Sequence, residues 1–142
     1  MMPDPVLLLT TIILLLPMGY FLLASPAFLL VKLDIPAVAL LLRGMFSGYF
    51  LAVAIAGVIG TIAVAVAGRL VLAAGVGLIA AFAVLARRWF LRRMDAELGA
   101  REAGDPDAAH RLRRLHWGGM LCNAIELTVI VGSIPYIVVP PV

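Results

Sequence analysis

The chain has 142 residues, 64% of them hydrophobic and only 13% charged, against roughly half apolar and a quarter charged in a soluble domain. Together with a mean hydropathy of +1.13, this excludes a water-soluble globular fold and predicts an integral membrane protein. A single cysteine, Cys122, excludes an internal disulfide, and the net charge of +3 matters less than where the basic residues fall.

The first apolar run covers about residues 6–31, more than the roughly 20 residues that cross a ~30 Å hydrocarbon core. Asp4 stands where a signal peptide would carry positive charge, and the run is too long for a cleaved leader, so it reads as a retained span. Pro17 and the SPAF stretch at 25–28 interrupt it. Each proline removes a backbone hydrogen bond and predicts a kink. KLDIP, at 32–36, makes the turn, and Pro36 suits the first turn of a second helix.

That second helix is expected over about 37–67, with about 44–67 in the membrane. Gly44, Gly48, Ala52, Ala56 and Gly60 recur along it every fourth residue. Small residues at this spacing make a smooth stripe where another helix can approach closely. The stripe could serve helix 1, helix 4 or a second copy of the chain. Gly68 and Arg69 end the helix in a short turn.

The third span is expected over about 70–87, and its helix continues into water. Phe90, Leu91, Met94 and Leu98 give the extension an apolar stripe, while Arg93 with Glu97 and Glu97 with Arg101 are four apart on one face. Gly104 suits a C-terminal cap, after which Asp105 can cap helix 4 with Pro106 in its first turn. Helix 4 then starts in water, enters the membrane near Trp117 and spans about 117–136, with Pro135 and Tyr136 at the far interface. Residues 88–116 thus form a helical hairpin outside the membrane. The expected fold is all-α: one membrane domain, an antiparallel four-helix bundle.

Eight of the eleven basic residues (Arg87, Arg88, Arg92, Arg93, Arg101, Arg111, Arg113 and Arg114) lie in that third connection. Lys and Arg are retained on the cytoplasmic side, which predicts a cytoplasmic hairpin and both termini outside. The first connection, with Lys32 and Arg43, agrees. A basic segment beside a membrane sets topology and meets anionic headgroups; nucleic acid is the poorer explanation. The expected partner is the bilayer itself, with a second copy or another membrane protein as candidates.

Three polar residues of helix 4, His116, Asn123 and Glu126, sit in an apolar stretch. With Trp117 at the interface, Glu126 lies roughly 13 Å deeper, near the bilayer midplane. An ionisable group at that depth must face the bundle interior and find a partner, and is a functional candidate by default. The alternative is a Glu kept uncharged as an interhelical hydrogen bond. Equal depth on helix 1 nominates Tyr20 as its donor. His116 and Asn123 are seven apart on nearly one face, in a stripe with Met120 and Leu127, and Glu126 lies at its edge. Tyr49 and Ser25 come to the depth of Asn123 and suggest a polar layer. Arg43 lies too far from Glu126 for an ion pair and is expected to snorkel to headgroups or to meet Asp34 or the start of helix 4.

No cofactor is assigned. Imidazole, thioether and carboxylate on one face are ligand types for haem or a transition metal, yet a bis-His haem site needs a second histidine, and His110 lies in the water-facing part. The sequence carries no GxSxG elbow, Walker loop, HExxH, CxxC pair or paired-carboxylate motif, which removes the hydrolase, nucleotide and zinc classes those motifs support.

Gly19 and SPAFLL in helix 1, Phe46 and Tyr49 in helix 2, and RLHWGGMLCN opening the fourth span resemble a group of small four-helix membrane proteins of unknown function. That group includes an animal transmembrane protein associated with resistance to platinum drugs. The most specific element is Leu115-His116 followed seven residues later by Asn123. The arginine-rich segment and RLH also resemble the anthrone-oxygenase-like membrane family. That likeness implies oxidation of a hydrophobic aromatic substrate in the region of His116, Asn123 and Glu126. Two functions therefore stand side by side: a non-enzymatic transporter-like or assembly protein, and a small membrane oxidoreductase.

Overall fold

The computed structural model describes residues 4–138. The terminal residues expected outside the membrane lie partly beyond this range. Four helices follow in order: α1 (Pro5–Ala24), α2 (Pro36–Val66), α3 (Leu70–Glu102) and α4 (Ala108–Val138). All four are long and apolar enough to cross a membrane. They form an antiparallel bundle in which each helix packs beside its neighbours in sequence and α4 returns to α1, leaving α2 and α4 on a diagonal. The α2–α3 seam is the tightest and the α3–α4 seam the loosest of the four. Large apolar side chains such as Leu16, Leu23, Ile62, Val71 and Leu85 point outward, an arrangement that a lipid surrounding favours and water does not.

Local chemistry accounts for the helix ends. Asp4 caps α1, accepting from the backbone N–H of Val6 at 3.0 Å and of Leu7 at 3.4 Å, with Pro5 in the first turn. Pro17 sits within α1 without ending it. The SPAF prolyl turn does end it: Ser25–Leu29 is a 3-10 helix, so the α-helix stops short of the expected residue 31. α2 and α3 both close on left-handed glycines, Gly68 at φ 78° and Gly104 at φ 91°. In each case the following residue donates to a carbonyl of the last turn, Arg69 to Val64 at 3.1 Å and Asp105 to Ala100 at 3.0 Å. Asp105 caps a short turn through the N–H of Asp107 at 2.9 Å, so α4 begins two residues after Pro106, later than expected.

The expected small-residue stripe of α2 serves only at one end. Gly44, Gly48 and Ala52 are exposed and nothing approaches Gly44 or Gly48. Close packing occurs instead at Gly57, where an added Cβ would stand 2.8 Å from that of Ala80 on α3, and at Gly60, against Thr10 of α1. Spacing identified a smooth strip, but the rotation of α2 about its axis decided which part of the smooth surface met a neighbour.

The core near the basic end is aromatic. Phe46 lies edge-on to Phe21 at 5.2 Å between centroids, and Phe50 stacks on Phe90 at 5.5 Å, joining α1, α2 and α3. α4 enters this cluster through Gly119, on which the Phe46 ring rests directly. At the basic end, α3 and α4 form a hairpin tied by Arg111, which donates to Glu97 at 2.8 Å and to Asp105 at 2.6 Å. Glu97 thus pairs across the hairpin and not with Arg93 or Arg101 along its own helix, because the facing helix brings a guanidinium closer to it.

Candidate functional site

α4 turns one face inward along its whole length. Leu112, His116, Gly119, Asn123 and Ile130 are buried, spaced by three, four and seven as a helix face requires. His116 is 0% exposed. Its Nε2 lies 2.7 Å from the Ser25 hydroxyl, and the rings of Phe28 and Phe46 stand edge-on to it. Nδ1 has no partner. A ring that donates Nε2–H to Ser25 leaves only a lone pair stranded at Nδ1, which is less costly than a stranded N–H. This contact fastens α4 to the point where α1 gives way to its 3-10 turn. Arg113, one helical turn away, donates to the carbonyls of Phe28, Leu29 and Val31 and satisfies the groups which that turn leaves free.

Two turns further along α4, a diagonal contact crosses the bundle. The Tyr49 hydroxyl of α2 lies 2.9 Å from Oδ1 of Asn123 and 3.0 Å from Oε2 of Glu126. Tyr49 and Asn123 are buried, Asn123 to 1% exposure, and Glu126 is partly buried. A phenol has one hydrogen and cannot donate fully to two acceptors. The second contact is completed by a hydrogen from the partner, either a carboxylic O–H on Glu126 or the Asn123 amide turned to present its NH2. The Nδ2 of Asn123 otherwise has no partner, and which way an amide points follows from such counting. Phe21, at 4.3 Å between centroids, covers the Tyr49 ring from α1.

Tyr49 therefore stands where Tyr20 was expected. Tyr20 is 66% exposed and faces outward. Depth along the axis nominated Tyr20, but a residue's angle around its helix decides whether it points into the bundle. Arg43 also lies away from the interior and binds Asp95 of α3 through both guanidinium and carboxylate groups, one of the two contacts being 2.9 Å. Neither Asp34 nor α4 receives it. The arginine beside Asp95 holds that carboxyl below the usual range. Ser25, Tyr49 and Asn123 do not make one layer: Ser25 pairs with His116, and Tyr49 with Asn123 and Glu126.

Two features of α4 had no reading in the sequence. Gly119 makes room for Phe46, and Gly118 faces Phe90 across the α3–α4 seam with ordinary clearance. The signal was a glycine pair beside the buried His116, but only the partner rings show why it is needed. Arg87 likewise bridges two helices, donating to the hydroxyl of Ser47 at 2.9 Å.

The accessible space lies elsewhere. A lateral groove of about 780 Å³ runs between α3 and α4 at the basic end, and a cavity of about 370 Å³ lies between α1, α3 and α4 at the other end. His116, Asn123, Tyr49 and Glu126 line neither of them. Among the described residues no three of His, Cys, Asp and Glu converge as metal ligands. Comparison with known families, with curated proteins and with solved structures finds no match.

Proposed function

We propose that the chain is a non-enzymatic multi-pass membrane protein, carrier-like or an interaction subunit, with its basic hairpin in the cytoplasm and both termini outside. In this reading Ser25–His116 and Tyr49–Asn123–Glu126 lock α1, α2 and α4 together, while the looser α3–α4 side engages a ligand or partner. The observation that carries it is the separation of polar chemistry from open space: the buried polar groups touch one another, and the groove lies beside them without reaching them. An oxidoreductase acting through His116 needs a substrate path to the ring, and its complete burial under Phe28 and Phe46 counts against one.

The test is thermal unfolding in detergent. Groups held for chemistry commonly lower stability, so their removal raises it; groups that lock a bundle lower stability when removed. Tyr49→Phe and Ser25→Ala are expected to lower the unfolding temperature, and a rise in both would overturn this reading. Orientation is checked by labelling Ala109→Cys in a Cys122→Ala background. A membrane-impermeant thiol reagent is expected to reach it only from the cytoplasmic side.

A further inference from the structure

The geometry points to a binding site for one anionic phospholipid in the groove between α3 and α4, its acyl chain against the membrane half and its phosphate between Arg93 and Arg114. This rests on the membrane reading above and adds the ligand class. The groove changes character along its length in the order a lipid does. At its deep end it is lined by Phe82, Leu85, Leu121 and Cys122, and Trp89 follows toward the basic end, a residue type that prefers the headgroup boundary. Beyond Trp89 come Arg93 from α3 and Arg114 from α4. From Phe82 to Trp89 the helix rises about 10 Å, and from Phe82 to Arg93 about 16 Å, against roughly 15 Å for the hydrocarbon of one leaflet. A chain lying along the apolar wall therefore brings its phosphate to the arginines.

The charges at that end are available to a ligand. Neither Arg93 nor Arg114 has a salt bridge or side-chain hydrogen bond among the described residues, and Arg93 lies over the Trp89 ring at 5.4 Å. Glu97, the one acidic residue lining the groove, is already neutralised by Arg111 at 2.8 Å. Leu85, Trp89 and Leu121 are each at least half exposed, so the groove opens sideways and a lipid enters from the bilayer plane without crossing the bundle. Gly118 lines it on the α4 side, and its missing side chain keeps the wall open. Basic pockets between transmembrane helices on the cytoplasmic side are suited to anionic headgroups.

Native mass spectrometry of the detergent-purified protein, titrated with phosphatidylglycerol and with phosphatidylcholine, tests this. The wild type is expected to retain one phosphatidylglycerol in preference to phosphatidylcholine. Arg93→Gln with Arg114→Gln should lower phosphatidylglycerol retention roughly fivefold per arginine. Arg88→Gln with Arg92→Gln, the same charge change outside the groove, should leave it nearly unchanged. Gly118→Leu should reduce retention of both lipids; if that variant does not fold, the two arginine pairs still decide the matter. Equal retention of the two lipids, or equal losses in the two arginine pairs, overturns the proposal. So does a second copy of the chain held by the wild type and lost in Gly118→Leu, which would make the groove a dimer interface. Should the hairpin label from the outer side, the cytoplasmic orientation on which the proposal rests fails; correct labelling without headgroup preference removes the lipid site alone.

Discussion

The bundle interior and the basic hairpin are both held by polar contacts, yet the two regions use them under opposite conditions. Inside, Ser25, His116, Tyr49, Asn123 and Glu126 make buried or partly buried contacts, and each links helices that large apolar side chains could join in many registers. In the hairpin and where it meets α2, Arg111 with Glu97 and Asp105, and Arg43 with Asp95, are ion pairs on partly or largely exposed side chains, where water and salt screen them. Buried hydrogen bonds specify which faces meet. Exposed ion pairs are individually replaceable. The physical difference is the alternative available to a broken contact: water in the hairpin, nothing in the interior.

Overfilling the interior is the largest expected disturbance. Gly119→Leu drives a side chain into the Phe46 ring and is expected to lower stability by about 1–3 kcal/mol or to prevent folding, read as unfolding temperature in detergent. The same substitution at Gly118, where Phe90 leaves ordinary clearance, should be milder. Equal effects at the two glycines would mean that the aromatic cluster does not decide how α4 packs.

Removing the Ser25 hydroxyl comes next. Ser25→Ala leaves the buried His116 ring without a side-chain partner at either nitrogen and should cost about 1–2 kcal/mol, whereas Ser25→Thr, which keeps the hydroxyl, should recover most of it. Tyr49→Phe removes the diagonal contact and should cost about 1 kcal/mol. Glu126→Gln keeps a hydrogen-bonding group facing Tyr49 and should leave the unfolding temperature close to wild type. A large loss in Glu126→Gln would show that a charged carboxylate matters in the interior and would narrow the contrast between the two regions.

The smallest effects belong to the hairpin. Arg43→Gln, which breaks an ion pair with a half-exposed aspartate, should change stability by less than about 1 kcal/mol. Acid tests the same region as a whole. The side-chain hydrogen bonds from Arg43 and Arg111 hold the Asp95 and Asp105 carboxyls below the usual range. The folded state therefore binds these protons less tightly than the unfolded chain does. The stabilisation is fully present above the unfolded value, near pH 4, and is lost as pH falls through the lower folded values. Fluorescence of Trp89 and Trp117 should stay constant from about pH 7 to about pH 5 and change only below about pH 4. A change at higher pH would place the sensitive group elsewhere.

The ends and the interior of the helices were unequally readable. Four long apolar helices, the glycine caps at Gly68 and Gly104 and the basic hairpin follow from hydropathy, length and turn chemistry, because these are local properties of short stretches. Asn123 and Glu126 were legible as residues that require a partner, since a polar group in an apolar helix must be satisfied. Depth brought Tyr49 to the level of Asn123, but the partner of Glu126 was not legible. Depth nominated Tyr20 for it, and only the rotation of the helices turns Tyr20 outward and Tyr49 inward.

The glycines show the same division. A repeat of small residues on α2 marked Gly44 to Gly60, but close packing falls at Gly57 and Gly60 and at Gly119 on α4, since a missing side chain matters only where another helix or ring arrives. Composition and periodicity determined, from the sequence alone, that this chain makes four long apolar helices with a basic hairpin. Which faces meet, which polar atoms are paired and where a groove stays open were decided by tertiary packing, because each depends on the angular setting of one helix against another.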